Sequence, residues 1–286
     1  MDIEIVEVGP RDGLQNEKAV ISVDEKVALV RACAEAGLKK IEVGSFVNEE
    51  RVPQMAASGE VLRDIGPLEA TGLVLIPNKR RLLAFLSARE EAAFQVPEIA
   101  IFVSATEGFS QANIGCSIDE SFDRVAEIFA ALPDDLTVRG YISCVTDCPY
   151  EGSVDPSAVG QVALMLKEAG CDTLALGDTV GKSVPKTLRA ALEASFEHWE
   201  PKFVAAHLHD TAGMALANVD MALEAGVRCF DAAVGGLGGC PYAPGAPGNL
   251  STEALVAHLS ARGFETGVDT AKLNAAAKLA RKIVGR

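Results

Sequence analysis

The sequence predicts a (β/α)8 TIM barrel with one extra C-terminal helix, organised as a single domain over residues 1–286. Three observations carry this. Apolar, β-rich runs alternate with amphipathic helical stretches eight times, the order that builds a parallel sheet covered by helices. A chain of 286 residues has the length such a barrel needs. Glu35-Ala36-Gly37, Glu168-Ala169-Gly170 and Glu224-Ala225-Gly226 each end a helical pattern just before a strand. Glycine at that point accepts the left-handed conformation that stops a helix. A doubly wound sheet is the alternative, but no G-x-G-x-x-G turn follows the first strand.

The first strand, 3–8, lies in the acidic-apolar stretch Asp2-Ile3-Glu4-Ile5-Val6-Glu7-Val8 and leads to Gly9-Pro10-Arg11-Asp12-Gly13-Leu14-Gln15-Asn16. Helix 23–36 returns the chain to strand 39–43, which is followed by Gly44-Ser45-Phe46. Helix 54–65, strand 71–76, helix 80–93 and strand 98–103 continue the alternation, then helix 118–131 and strand 136–143. Helix 156–169 precedes strand 172–177, which ends at Gly177-Asp178-Thr179. Helix 185–197 precedes the seventh strand, 203–207, whose apolar Phe203-Val204-Ala205-Ala206 runs into His207-Leu208-His209-Asp210-Thr211. Helix 214–225, strand 228–233, helix 251–262 and a trailing helix 270–284 complete the chain.

The net charge of −14 and pI near 4.8 argue against a nucleic-acid surface, which needs Lys and Arg to neutralise phosphates. No apolar run reaches membrane-spanning length, and the N-terminus lacks the basic or Arg-rich character of a targeting segment. Seven scattered cysteines do not form a disulfide framework, so a reducing cytoplasm is expected. Cys144 and Cys148 lack the second pair a zinc site would need, and packing is the expected role.

Loops after the strands of such barrels build the active site. His207 and His209 alternate with Leu208, so both imidazoles share one face at metal-ligand spacing. Taken alone, H-x-H is more often two satisfied polar residues. Asp12 reads alone as a turn cap, Asp178 as a helix cap, Glu42 as the partner of a basic residue and Asn249 as an N-cap. Strands six, seven, eight, one and two are contiguous around a closed barrel, however, so these groups line one arc of one mouth. Asp12, His207, His209 and Asn249 together suit an octahedral divalent ion such as Mg2+ or Mn2+, with Zn2+ less favoured by the amide oxygen. Arg11 beside them suggests an anionic or developing-oxyanion partner. The Gly- and Pro-rich loop 235–249 carries one thiol, Cys240, and reads as a lid whose thiol could donate a proton or act as a nucleophile. Lys79-Arg80-Arg81 opens a helix and reads as a solvated charge run, with phosphate binding as the alternative.

The motifs VEVGPRDGLQNEK (6–18), IEVGSFV (41–47), VPQMA (52–56), NIGCSIDESF (113–122), VRGYISC (138–144), CPYEG (148–152), LGDTVG (176–181), HLHDT (207–211) and GLGGCPYAPGAPGNLSTE (236–253) cover nearly the whole chain. On these residues the chain resembles the 3-hydroxy-3-methylglutaryl-CoA lyases, within a group of metal-dependent barrels that make or break C–C bonds. The resemblance implies retro-Claisen cleavage of (S)-3-hydroxy-3-methylglutaryl-CoA to acetyl-CoA and acetoacetate. It implies Asp12, His207, His209 and Asn249 as ligands of Mg2+ or Mn2+, and Arg11 as the enolate's partner. Cys240 would be the proton donor, with Glu42 and Asp178 as acid/base or supporting groups. Gln15, Asn113, Tyr141 and Thr179, with Arg11, would line the substrate pocket. Asp12 and His207 are both candidates for the general base. The stretch 180–185, Val-Gly-Lys-Ser-Val-Pro, departs from the family's usual Ile-Gly-x-Gly-Thr-Pro. The partners expected are a small acyl-CoA, with neither nucleic acid nor membrane, and a homo-oligomer is compatible. Three alternatives stand: a lyase for a longer 3-alkyl substrate, a condensing or aldolase-type relative, and a metal- and acyl-CoA-binding sensor without turnover.

Overall fold

The computed structural model describes residues 3–238 and 248–286. Its barrel strands are β1 (Glu4–Glu7), β2 (Lys40–Ser45), β3 (Thr71–Leu75), β4 (Glu98–Ser104), β5 (Thr137–Ser143), β8 (Thr173–Gly177), β9 (Val204–His207) and β10 (Cys229–Ala232). All pair in parallel in that order, and β10 closes the barrel onto β1. Between β5 and β8 a two-stranded antiparallel hairpin, β6 (Asp147–Cys148) and β7 (Gly152–Ser153), stands apart from the barrel.

Helices cover the outside: α1 (Val23–Glu35), α2 (Ser58–Asp64), α3 (Lys79–Glu90), α4 (Glu107–Ile114), α5 (Ile118–Phe129), α6 (Pro156–Ala169), α7 (Pro185–Phe196), α8 (Ala215–Glu224) and α9 (Thr252–Ala261). The extra helix α10 (Thr270–Ile283) buries Leu273, Ala276, Ala277, Ala280 and Ile283, and packs back on α1. The three Glu-Ala-Gly stops hold, with Gly37, Gly170 and Gly226 at φ 98, 106 and 99°. A Cβ at these angles would strain the turn.

Two stretches differ from the sequence pattern. Residues 54–65 do not form one helix. A 3-10 turn at Pro53–Met55 breaks at Ala57, with φ 60°, before α2 begins. Ser58 is the cause: its hydroxyl oxygen lies 2.7 Å from the Met55 carbonyl and 2.9 Å from the Ser45 carbonyl, and accepts from the Ser45 N–H. These tertiary bonds to the end of β2 override local propensity. The second difference is α4, where Gly108 and Ser110 blur the apolar periodicity. Gly115 ends it with φ 67°, and α5 restarts at once on a Ser117–Glu120 capping box. Cys144 and Cys148 pack with Phe109 in a small apolar cluster, the packing role expected of them. Among the described residues no helix is long and apolar enough to cross a membrane.

Inward positions in such barrels are mostly branched aliphatics. This barrel instead carries a polar column. At the bottom Lys40 Nζ meets Glu98 at 2.9 Å and Glu4 at 3.3 Å. Arg139 pairs with Asp231 one layer higher. Tyr141, two residues on along β5, shares its face, and His207 stands across from it. Each buried charge of this column has an opposite partner, without which desolvation would cost several kcal/mol.

Candidate active site

The C-terminal mouth opens into a cavity of about 570 Å³. Arg11, Asp12, Gln15, Asn113, Tyr141, Thr179, His207, His209 and Asn249, all singled out in the sequence, line it. Cys240 lies outside the described residues.

Arg11 and Asp12 sit in a tight turn, Gly9–Gly13, at the end of β1. Glu7 fixes the root of that turn. Its carboxylate accepts from the N–H groups of Gly9 and Val234 at 2.8 Å each, and from the Thr252 hydroxyl at 2.7 Å. One buried side chain thus ties the first loop, the last loop and the start of α9 together.

The Arg11 guanidinium is held from two sides. Nη1 donates to Asp12 Oδ1 at 2.7 Å, and Nη2 lies 2.6 Å from Glu42 Oε2. Burial alone would lower the Arg11 pKa, but the carboxylates of Glu42 and Asp12 outweigh it and raise it, so the cation is secure. Burial pushes the Glu42 carboxyl up to about 7, against the pull of Arg11. Glu42 Oε1 is buried without a hydrogen-bond partner. Glu42 stands behind Arg11, fully buried, and does not reach the cavity surface.

Asp12, His207 and His209 bring one ligating atom each within 4.8 Å of one another. Burial would raise the Asp12 pKa, yet Arg11 and the two imidazoles hold it well below the carboxylate range. His209 Nδ1 lies 2.7 Å from the Asp178 carbonyl oxygen. A carbonyl only accepts, so Nδ1 carries the proton and Nε2 is left with its lone pair. The donor set of two imidazoles and a carboxylate therefore fits a divalent ion. Asn249 lies beside the cluster, pairing with His209 in an isolated bridge. Its amide nitrogen donates to Asp12 Oδ2 at 2.8 Å and to the Leu237 carbonyl at 3.3 Å. In this arrangement Asn249 braces Asp12, and offering its oxygen to an ion takes a half-turn of the amide.

Asp178 does not cap a helix. Its side chain accepts from the N–H groups of Gly181, Lys182 and Ser183 at 3.0, 3.2 and 3.2 Å, and from the Ser183 hydroxyl. It shapes the departing 180–185 loop and works toward the site through its backbone carbonyl on His209. Ser251, not Asn249, caps α9.

Sequence reasoning missed two features. The first is Asp231, whose carboxylate reaches His207, Tyr141 and Arg139. Its signal was a charge inside an otherwise apolar strand. The second is a basic rim: Arg51, Arg80, Arg81 and Arg124 all line the cavity. The tract 79–81, read as a solvated run, places two of these at the mouth.

Fold and site together define a TIM-barrel enzyme whose mouth holds a cluster able to bind a metal ion, with a buried arginine beside it. The chain belongs to the HMGL-like family, whose profile it matches over residues 2–280. It is 45% identical over 286 residues to the 3-hydroxy-3-methylglutaryl-CoA lyase of Mus musculus described as cytoplasmic, covering 99% of this chain and 82% of that one. The crystal structure of an HMG-CoA lyase from Brucella melitensis superposes with a TM-score of 0.95 at 44% identity, covering 100% of this chain and 99% of that one. An HMG-CoA lyase from Acinetobacter baumannii, solved with coenzyme A and 3-methylmalate, superposes at 0.92 with 31% identity, covering 99% and 92%.

Proposed function

We propose that the enzyme cleaves (S)-3-hydroxy-3-methylglutaryl-CoA to acetyl-CoA and acetoacetate, using Mg2+ or Mn2+. The observation that carries this is the Arg11 guanidinium, clamped by Glu42 and Asp12 against the Asp12–His207–His209 cluster inside one cavity. Cleavage needs a base for the tertiary hydroxyl proton, and charge to hold the emerging enolate. Asp12 or His207 takes that proton, the C2–C3 bond breaks, and its electron pair passes to the thioester as an enolate. Arg11 is held where it can pair with that oxygen. Asp12, His207 and His209, with Asn249 after an amide turn, would hold the ion, which polarises the substrate oxygens when bound. The rim arginines Arg51, Arg80, Arg81 and Arg124 give an otherwise acidic protein a cationic mouth, suited to the phosphates of an acyl-CoA. The relative that binds coenzyme A supports that ligand class.

The test is release of acetyl-CoA and acetoacetate in equal amounts from the pure substrate with Mn2+ present. Binding without turnover would leave a sensor. Turnover only in the condensing direction, or a higher kcat/KM on a longer 3-alkyl homologue, would replace the assigned substrate.

Cys240 is proposed as the acid that protonates the acetyl-CoA carbanion. Positioned acids contribute about 10²-fold or more, so Cys240→Ser should slow turnover by about that factor while Mn2+ still binds. A wild-type rate in Cys240→Ser between pH 6 and 9 would remove the thiol from the mechanism.

A further inference from the structure

We infer that Asp231 is a positioning residue for the metal centre: its carboxylate holds the Nδ1–H of His207 and so keeps the bare Nε2 of that ring turned toward Asp12 and His209. Asp231 on β10 is in register with His207 on β9, so their inward side chains are neighbours. Asp231 is buried, and both its oxygens are engaged. Oδ2 lies 3.1 Å from His207 Nδ1 and accepts from the Tyr141 hydroxyl at 2.9 Å, while Oδ1 takes the Arg139 guanidinium. Paired with the Arg139 cation, Asp231 is an ionised carboxylate, which can only accept from the other two. Nδ1 of His207 must then carry the proton, and Nε2, 4.0 Å from Asp12 Oδ2, is the nitrogen that can ligate. Tyr141 also packs edge-on against the His207 ring, with centroids 5.8 Å apart, and so limits its rotation. His209 is set in the same way by a backbone acceptor, the Asp178 carbonyl. Two independent acceptors thus present two bare nitrogens to one point. Hydrogen-bond partners of this kind fix ring orientation and strengthen metal ligation.

An ion pair serving only the barrel core would leave metal affinity alone, and Asp231→Asn separates the two roles. The Asn carbonyl must face the Arg139 donors, because an NH2 there would meet a guanidinium. Its NH2 then faces His207 and forces Nδ1 to accept. The proton moves to Nε2, where the ion would bind. Mn2+ titration followed by electron paramagnetic resonance should give a dissociation constant at least about tenfold above wild type. Activity lost at low Mn2+ should return at high Mn2+, which a folding defect would not allow. A folded Asp231→Asn protein with wild-type Mn2+ affinity overturns the inference.

Should that variant fail to fold, the metal-free wild type decides. With only four histidines, the His207 ring can be identified in long-range proton–nitrogen spectra by its loss in His207→Gln. At a pH high enough for the ring to be neutral, the Nδ1–H tautomer is expected, and an Nε2–H tautomer overturns the inference. The inference rests on the proposed metal centre and not on the proposed substrate. A protein that binds Mn2+ but leaves the acyl-CoA uncleaved fails only the function, whereas one that binds no Mn2+ fails both.

Discussion

Arg11→Met is expected to lower kcat by about 10³-fold, the upper range for removing one donor to an oxyanion. Methionine keeps the length and apolar stem of the side chain but supplies no charge to the enolate. A loop position suggests that the fold would be indifferent to this change. The structure says otherwise, because Arg11 is buried between Glu42 and Asp12. Breaking a buried ion pair by removing one partner costs about 3–5 kcal/mol. Here the cost depends on pH. The Glu42 carboxyl is already raised to about 7 with Arg11 beside it, and losing the cation raises it further. A carboxyl whose folded pKa lies above its unfolded value favours the fold while protonated, and that contribution is lost as pH rises through the folded pKa. The gap in melting temperature between Arg11→Met and wild type, set near pH 5 by the lost pairing with Asp12, should therefore widen toward pH 8 as Glu42 ionises. A near-normal kcat, or a stability gap that does not change with pH, would show that Arg11 is not held as described.

Legibility in the sequence followed the range of the forces involved. The strands were readable because apolar runs and Glu-Ala-Gly stops are local signals, and Gly37, Gly170 and Gly226 stop their helices as expected. The α2 break was not readable, because it is made by Ser58 reaching a strand that lies thirteen residues earlier. The cluster of Asp12, His207 and His209 was readable once barrel closure placed the first loop beside the seventh strand. The placement of Glu42 and Asp178 behind the cavity wall was not, because a sequence does not say whether a carboxylate faces a cavity or stands behind its wall. Asp231 and Arg139 sit ninety-two positions apart, and only the closed register makes them partners. A charge within a strand is the kind of local inconsistency that marks a functional site.

Exhaustive chelation is expected to remove activity by at least about 10³-fold, since a bound cation supplies several kcal/mol of charge stabilisation and each 1.4 kcal/mol is tenfold in rate. The charges around the site explain why no other group can substitute. Arg11 is the cation beside the Asp12–His207–His209 cluster, and it is already shared between Glu42 and Asp12. Asp12 is kept ionised by Arg11 and the two imidazoles, and so stays a carboxylate throughout the neutral range. Burial and the adjacent His207 lower the His209 pKa, which keeps its Nε2 unprotonated at neutral pH. The site is therefore preset to receive a cation, and its binding should stabilise the fold as well as restore turnover. Mn2+ at about a hundred times its dissociation constant adds about 2.7 kcal/mol to the unfolding free energy. Chelated protein should accordingly melt at a higher temperature once Mg2+ or Mn2+ is returned. His209→Asn should show neither the shift nor the recovery, because a shorter amide cannot both reach the Asp178 carbonyl and present a ligand to the cluster. Full turnover in excess EDTA, with no metal found by elemental analysis, would refute the metal site and with it the roles given to Asp12, His207 and His209.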